Sequence, residues 1–224
     1  MIKYQFRTLA ICCIFISSCI GPKKINKWVT KQYAESVDVK PKMQNDYLSV
    51  TSTLTTTDAS LCTDSKQTKN VLPLIFYWRF DYINNCTLNP KIPVSEFMST
   101  VLTYANSKGL KQKLNGQRIE LSVDKIPNFF ALNDRAHVIW VVYAYGWDNI
   151  SIKPDNQEMV VAYKILKDNV EVKKGEVSIP NEDKGLTVKW MHSVKNTTSQ
   201  YFEQYDENIK TMSKKAIDKI ISEL

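Results

Sequence analysis

Val71-Leu72-Pro73-Leu74-Ile75-Phe76-Tyr77-Trp78-Arg79-Phe80-Asp81-Tyr82-Ile83 decides the reading of this chain. Leu74, Phe76, Trp78, Phe80 and Tyr82 take every second position, and Arg79 and Asp81 fall between them. A period of two belongs to a strand with one covered face. The stretch therefore predicts a strand, and a chain organised around a sheet. Upstream, Tyr47 to Leu54 is rich in Thr, Val and Ser and also reads as a strand. Thr55 to Asn70 is polar, reads as a loop and carries Cys62; Cys86 lies just past the second strand.

Downstream the pattern changes period. Over Pro93 to Lys113, Phe97, Val101, Tyr104 and Ala105 recur at three and four residues, with Leu102 widening the stripe, which predicts a helix. Gly109 marks its end or a kink, and Asn115-Gly116 is a turn signal. Ile119, Leu121 and Val123 alternate with Glu120, Ser122 and Asp124, so this strand is half exposed until Pro127 stops it. Ala136 to Trp147 reads as one strongly apolar strand, with Trp140, Val142 and Ala144 on one face and Val141, Tyr143, Tyr145 and Trp147 on the other. Met159 to Leu166 and Glu171 to Ile179 form a hairpin about Asp168-Asn169, residues suited to positive φ, with a bulge expected at Lys173-Lys174-Gly175. Leu186 to Met191 reads as a last short strand.

The C-terminus predicts a second helix. Thr197 and Gln200 have capping-box spacing. Phe202, Tyr205, Ile209, Met212, Ala216 and Ile220 form its apolar stripe, and Lys210, Lys214, Lys215 and Lys219 much of the rest. Such a helix packs on a sheet or lies on a membrane; packing is the expectation. The fold class that follows is α+β, a mainly antiparallel sheet with two helices on one face in a two-layer sandwich.

The N-terminus points to a location. Lys3 and Arg7 precede an apolar run, Leu9 to Ile16, which is too short to span a bilayer, where about 20 residues are needed. The run ends in Ile16-Ser17-Ser18-Cys19, which resembles the lipobox of bacterial lipoproteins. The resemblance implies cleavage before Cys19 and acylation of that cysteine, palmitate included. Residues 1–18 are then a signal peptide, 19–44 a lipidated N-terminus and tether, and 45–224 a single periplasmic-type domain. Trp28 and Tyr33 within the tether suit a lipid interface or packing on the domain. Ile20 follows the cysteine, with neither aspartate nor an acidic cluster, which favours an outer membrane with the domain facing the periplasm. The element order is also similar to that of the auxiliary lipoproteins of ABC-type lipid transport systems, and more loosely to the lipopolysaccharide-assembly lipoprotein. The likeness covers most of the chain after the signal, as topology alone.

The cysteines fit this compartment. Of five, Cys12 and Cys13 leave with the signal and Cys19 is the lipidation site. Cys62 and Cys86 remain, and an oxidising envelope favours a disulfide between them over two buried thiols. Closing a loop of about 25 residues is worth about 3 kcal/mol. Removing Lys3 and Arg7 takes the net charge from +7 to +5, which suits an anionic membrane. Nucleic acid is not an expected partner, and no motif for it occurs.

Catalytic signals are thin. There is no Gly-x-Ser-x-Gly, no His-Glu-x-x-His, no phosphate loop and no Cys-x-x-Cys. His137 and His192 read as edge or surface histidines, and Glu120 and Asp124 as a solvated strand face. No catalytic residue, metal ligand or cofactor is expected. Tyr143, Tyr145 and Trp147 form the best candidate ligand surface, unless a helix covers them. The expected function is a non-enzymatic accessory or interaction domain, lipid-anchored, meeting a protein partner in an envelope transport or assembly complex. The alternatives are a glycan- or lipid-binding module using the aromatic face, and, behind it, a hydrolase.

Overall fold

The computed structural model describes residues 21–33, 45–54, 60–72, 76–140, 143–189 and 193–224. Cys19 with its lipobox, and His192, lie outside them. Nine strands are present among these residues: β1 (Leu48–Ser52), β2 (Leu61–Leu72), β3 (Tyr77–Thr87), β4 (Arg118–Lys125), β5 (Phe129–Trp140), β6 (Ala144–Pro154), β7 (Met159–Lys167), β8 (Val170–Ile179) and β9 (Leu186–Thr187). The helices are α1 (Pro22–Tyr33), α2 (Lys91–Ser107), α3 (Leu110–Lys113) and α4 (Val194–Glu223).

The fold is α+β. Its strands divide between two sheets, one ordered β1-β4-β7-β8 and one ordered β2-β3-β5-β6-β9. All described pairings are antiparallel except β1 with β4. The four-stranded sheet is the expected two-layer arrangement. Ile119, Leu121 and Val123 pair with Ile165, Tyr163 and Val161, and all six are buried. The alternate residues Glu120, Ser122 and Asp124 are only half-buried. Burial of each large apolar side chain stabilises by about 1.5–3 kcal/mol, so this one-sided alternation fixes the register.

The helices lie against that apolar face. Phe97, Val101, Leu102 and Ala105 of α2 are buried, and α2 packs against α4. Gly109, at φ 67°, ends α2 in the left-handed conformation that glycine adopts without strain. In α4 the whole predicted stripe, Phe202 to Ile220, is buried, so the helix is a core element. It starts earlier than the Thr197–Gln200 spacing suggests: Ser193 caps it, its Oγ accepting from Asn196 N at 3.1 Å. Tyr205 donates to Pro127 O at 2.6 Å in the interior.

The β7–β8 hairpin turns at Asp168 (φ 51°) and Asn169 (φ 63°), as its sequence requires. The bulge lies opposite Ile165/Leu166, where Val172 is skipped, not at Gly175. Gly175 instead lies directly across from Tyr163, whose ring fills the space a Cβ would take.

Three expectations change. Residues 22–33, read as tether, form a helix: Ile25, Val29 and Tyr33, spaced by four, are buried on the domain. Tyr33 packs its ring 5.4 Å from that of Phe202 and donates to Asp206 Oδ1 at 3.2 Å, so Tyr33 belongs to the core and not to a lipid interface. The polar loop 55–70 is strand from Leu61 onward, because a polar sequence can pair as long as its partner supplies the ladder, and β3 does. Finally, the two long apolar runs are each interrupted by a reversal of the chain. In the first, β2 ends at Leu72 and β3 begins at Tyr77, just after Phe76 (φ 44°); in the second, β5 ends at Trp140 and β6 begins at Ala144.

Candidate interaction surface

The five-stranded sheet has a root and a tip. At the root, Cys62, Cys86, Leu88, Phe130, Leu132 and Ile152 are buried in the common core. Cys62 and Cys86 lie directly opposite each other on β2 and β3, Cα atoms 4.1 Å apart, and form a disulfide. Towards the tip the cover disappears: β6 is exposed at every residue from Ala144 to Asn149, on both faces. From Cys62 to Leu72 the arm runs ten residues, about 33 Å at the rise of a strand.

The tip carries the largest exposed apolar side chains of the described residues: Phe76 (58 %), Trp140 (53 %), Tyr143 (71 %), Tyr145 (60 %) and Trp147 (46 %). Thus Tyr143, Tyr145 and Trp147 are uncovered, but they do not continue the strand that holds Trp140. Tyr143 precedes β6, and Tyr145 and Trp147 share one face of it opposite Ile139 and His137. Trp140 belongs to the other face, with Val138 and Ala136 on its own strand and Trp78 and Phe80 on β3.

Behind Tyr145 the first face turns polar. His137 stacks on Trp147 with centroids 4.9 Å apart and planes 4° apart. Tyr77 Oη lies 2.5 Å from His137 Nδ1, and Asn149 Nδ2 3.4 Å from Nε2. His137 is therefore a held member of the aromatic cluster and not an isolated edge residue. One row further, Arg135 donates to Asp81 Oδ1 at 2.6 Å and Arg79 to Oδ2 at 3.1 Å. Desolvation works to raise the Asp81 carboxyl, but the hydrogen bond and charge of Arg135, with those of Arg79, outweigh it and hold it below its usual range. The carboxylate stays ionised and locks both arginines across β3 and β5.

On the opposite face, Asp134 is buried where the arm meets the core. Among the described residues its Oδ1 has no hydrogen-bond partner, and burial, with the nearby charge of Asp148, pushes its pKa up to about 6. Glu120 and Asp124, the carboxylates singled out from the sequence, sit on the outer face of the other sheet. Glu120 pairs with Arg118 at 3.8 Å, and Asp124 accepts from Ser122 and Thr53. Nothing brings either near His137.

Sequence reasoning missed Phe76, Trp140, Tyr77 and the arginine pair. The available signal was the apolar character of both alternating sets from Val138 to Trp147, in a chain with no element left over to cover two faces. No described group of three or more His, Cys, Asp or Glu is arranged to hold a metal. No described helix is long and apolar enough to cross a membrane. Compared with family models, curated proteins and solved structures, the chain matches none.

Proposed function

We propose that this protein is a lipid-anchored cell-envelope protein that works by contact: Cys19 carries the anchor, and the arm docks on a protein partner in a transport or assembly complex. The observation that carries the reading is the gathering of Phe76, Trp140, Tyr143, Tyr145 and Trp147, all exposed, at one end of one sheet. Exposed apolar surface of this kind marks interaction sites. Trp, Tyr and Arg are also the residues that dominate binding hot spots, and here Arg79 and Arg135 stand locked behind the aromatics. The anchor rests on the lipobox resemblance and on the cysteine count, which leaves one pair for the disulfide.

A photo-crosslinking residue at Tyr143 or Tyr145, in intact cells, tests the docking. A discrete product from these positions, absent when the probe replaces Lys164 on the solvated face of the other sheet, supports it; identical patterns at all three positions refute it. Palmitate labelling that disappears in Cys19→Ala tests the anchor separately. The second reading, a glycan-binding face, draws on the Trp147–His137 stack, since a ring held flat by a neighbour is a platform for a sugar. Unchanged glycan retention by Trp147→Ala would remove it.

A further inference from the structure

The arm leaves one conspicuous feature of the molecule without a role. Helix α1 reads PKKINKWVTKQY, with four lysines and no acidic residue. Its buried stripe is Ile25, Val29 and Tyr33. At 100° per residue, Lys23, Lys24, Lys27 and Lys31 point away from that stripe, and all four are exposed. Lys195, in the first turn of α4, joins Lys24, Lys27 and Lys31 around an open hollow of about 900 Å³ lined also by Trp28 and Thr30. A cation there opposes the helix dipole, so its position gains nothing from α4 itself. Among the described residues no ion pair forms to any of these five lysines. Trp28 is half-buried at the edge of the face, with Lys24 Nζ 5.8 Å from its ring centroid.

We propose that this face of α1, with Lys195, lies on an anionic phospholipid surface. Charge complementarity selects the occupant: five exposed lysines with no ion pair among the described residues suit a field of phosphate headgroups, each contributing about fivefold in affinity at low salt. Trp28 has the amphipathic ring favoured at the headgroup level. Position agrees, and here the inference rests on the anchor reading: Pro22 is three residues from Cys19, at most about 10 Å of extended chain. A lipid on Cys19 would hold α1 at the bilayer whichever way the domain tumbles, and the basic face then fixes which side of the domain meets it.

The test uses residues 20–224, which contain the whole described fold and no lipid. Sedimentation with vesicles of phosphatidylcholine containing phosphatidylglycerol should carry the protein down, progressively less as salt is raised, while pure phosphatidylcholine should not. Lys24→Glu/Lys27→Glu/Lys31→Glu should weaken binding by at least about 100-fold. Lys23→Glu/Lys195→Glu should also weaken it, whereas Lys153→Glu/Lys164→Glu/Lys167→Glu, exposed lysines elsewhere, should change it far less. Equal binding to neutral vesicles, or equal losses from all three sets, overturns the proposal. Because the probe carries no acyl chain, a failed vesicle assay with Cys19 still labelled by palmitate sinks only the basic face. Vesicle binding without labelling sinks only the anchor.

Discussion

Gly175→Ala should destabilise the fold through one neighbour, Tyr163. A Cβ on Gly175 would stand 2.6 Å from Tyr163 Cζ and Oη and 2.7 Å from Cε1, closer than such atoms approach in folded proteins. The ring is buried, and its hydroxyl donates to Glu223 Oε2 at 2.5 Å near the end of α4, so it has little room to retreat. Overpacking of this kind costs about 1–3 kcal/mol. If the ring moves, the charge-assisted hydrogen bond to Glu223 is lost as well, at about 1.5–3 kcal/mol. The intrinsic preference of a strand for Ala over Gly returns about 0.5–1 kcal/mol. A net loss of about 3 kcal/mol is expected, or roughly 6–12 °C in Tm for a domain of this size. Urea denaturation of Gly175→Ala measures it. The decisive comparison is the same substitution in a Tyr163→Leu background, where no ring opposes the new methyl. There Gly175→Ala should be neutral or stabilising, so the two substitutions couple with a sign reversal. An equal loss in both backgrounds would refute the argument from the Tyr163 ring.

Other perturbations probe other levels. Asp134 titrates near 6 in the fold against 3.8 in an unfolded chain, so the native state binds the extra proton between those values and stability falls as pH rises through them. Asp134→Asn should flatten that slope and gain about 1.5 kcal/mol at neutral pH, the shift's worth roughly halved for water reaching the arm; Asp206, also pushed up to about 6 by burial, keeps part of the slope. A thermal melt series across this pH range, unchanged by the substitution, would contradict the assignment. Replacing both Cys62 and Cys86 by Ala should cost about 3 kcal/mol, read as a lower denaturation midpoint that added reductant no longer shifts. Tyr205→Phe leaves the buried Pro127 carbonyl unpaired and should cost about 1–2 kcal/mol by equilibrium denaturation. Trp140→Ser and Tyr145→Ser, by contrast, should leave stability within about 0.5 kcal/mol, because more than half of each residue is already exposed to water.

The parts of this fold that could be read in sequence are those where one side chain set faces the core and the other faces water. Ile119/Leu121/Val123, the stripe from Phe202 to Ile220 and the turn at Asp168-Asn169 each carry a local rule that the tertiary structure obeys. The arm was harder because its residues break that rule. From Trp140 to Ala144 the chain reverses without Gly, Pro or Asn to announce it, so two strands read as one. Leu61 to Leu72 is polar, and only its partner β3 makes it a strand. In α1 the spacing of Ile25, Val29 and Tyr33 was helical, but four lysines among them lowered its apolar content to that of a linker. The Cys62–Cys86 pairing was legible from counting alone, whereas the Tyr77–His137–Trp147 cluster required knowing that β3 lies between β2 and β5.

The root of the arm also has a mechanical meaning. Asn26 of α1 accepts from Cys62 N at 3.0 Å, so the end of the domain next to Cys19 and the start of β2 are joined. If the tip meets a partner and α1 is tethered as proposed, a pull between them would run along the strands of the β2–β3–β5–β6 ladder. Interstrand bonds lie perpendicular to that line, so they are sheared together and not peeled one by one. The disulfide shares the load where β2 enters the body, and α4, about 45 Å long and in contact with strands of both sheets, spreads it across the domain. On the proposed reading of an anchor at Cys19 and a partner at the tip, tension between the two ends would be carried by the sheet without unravelling the aromatic tip.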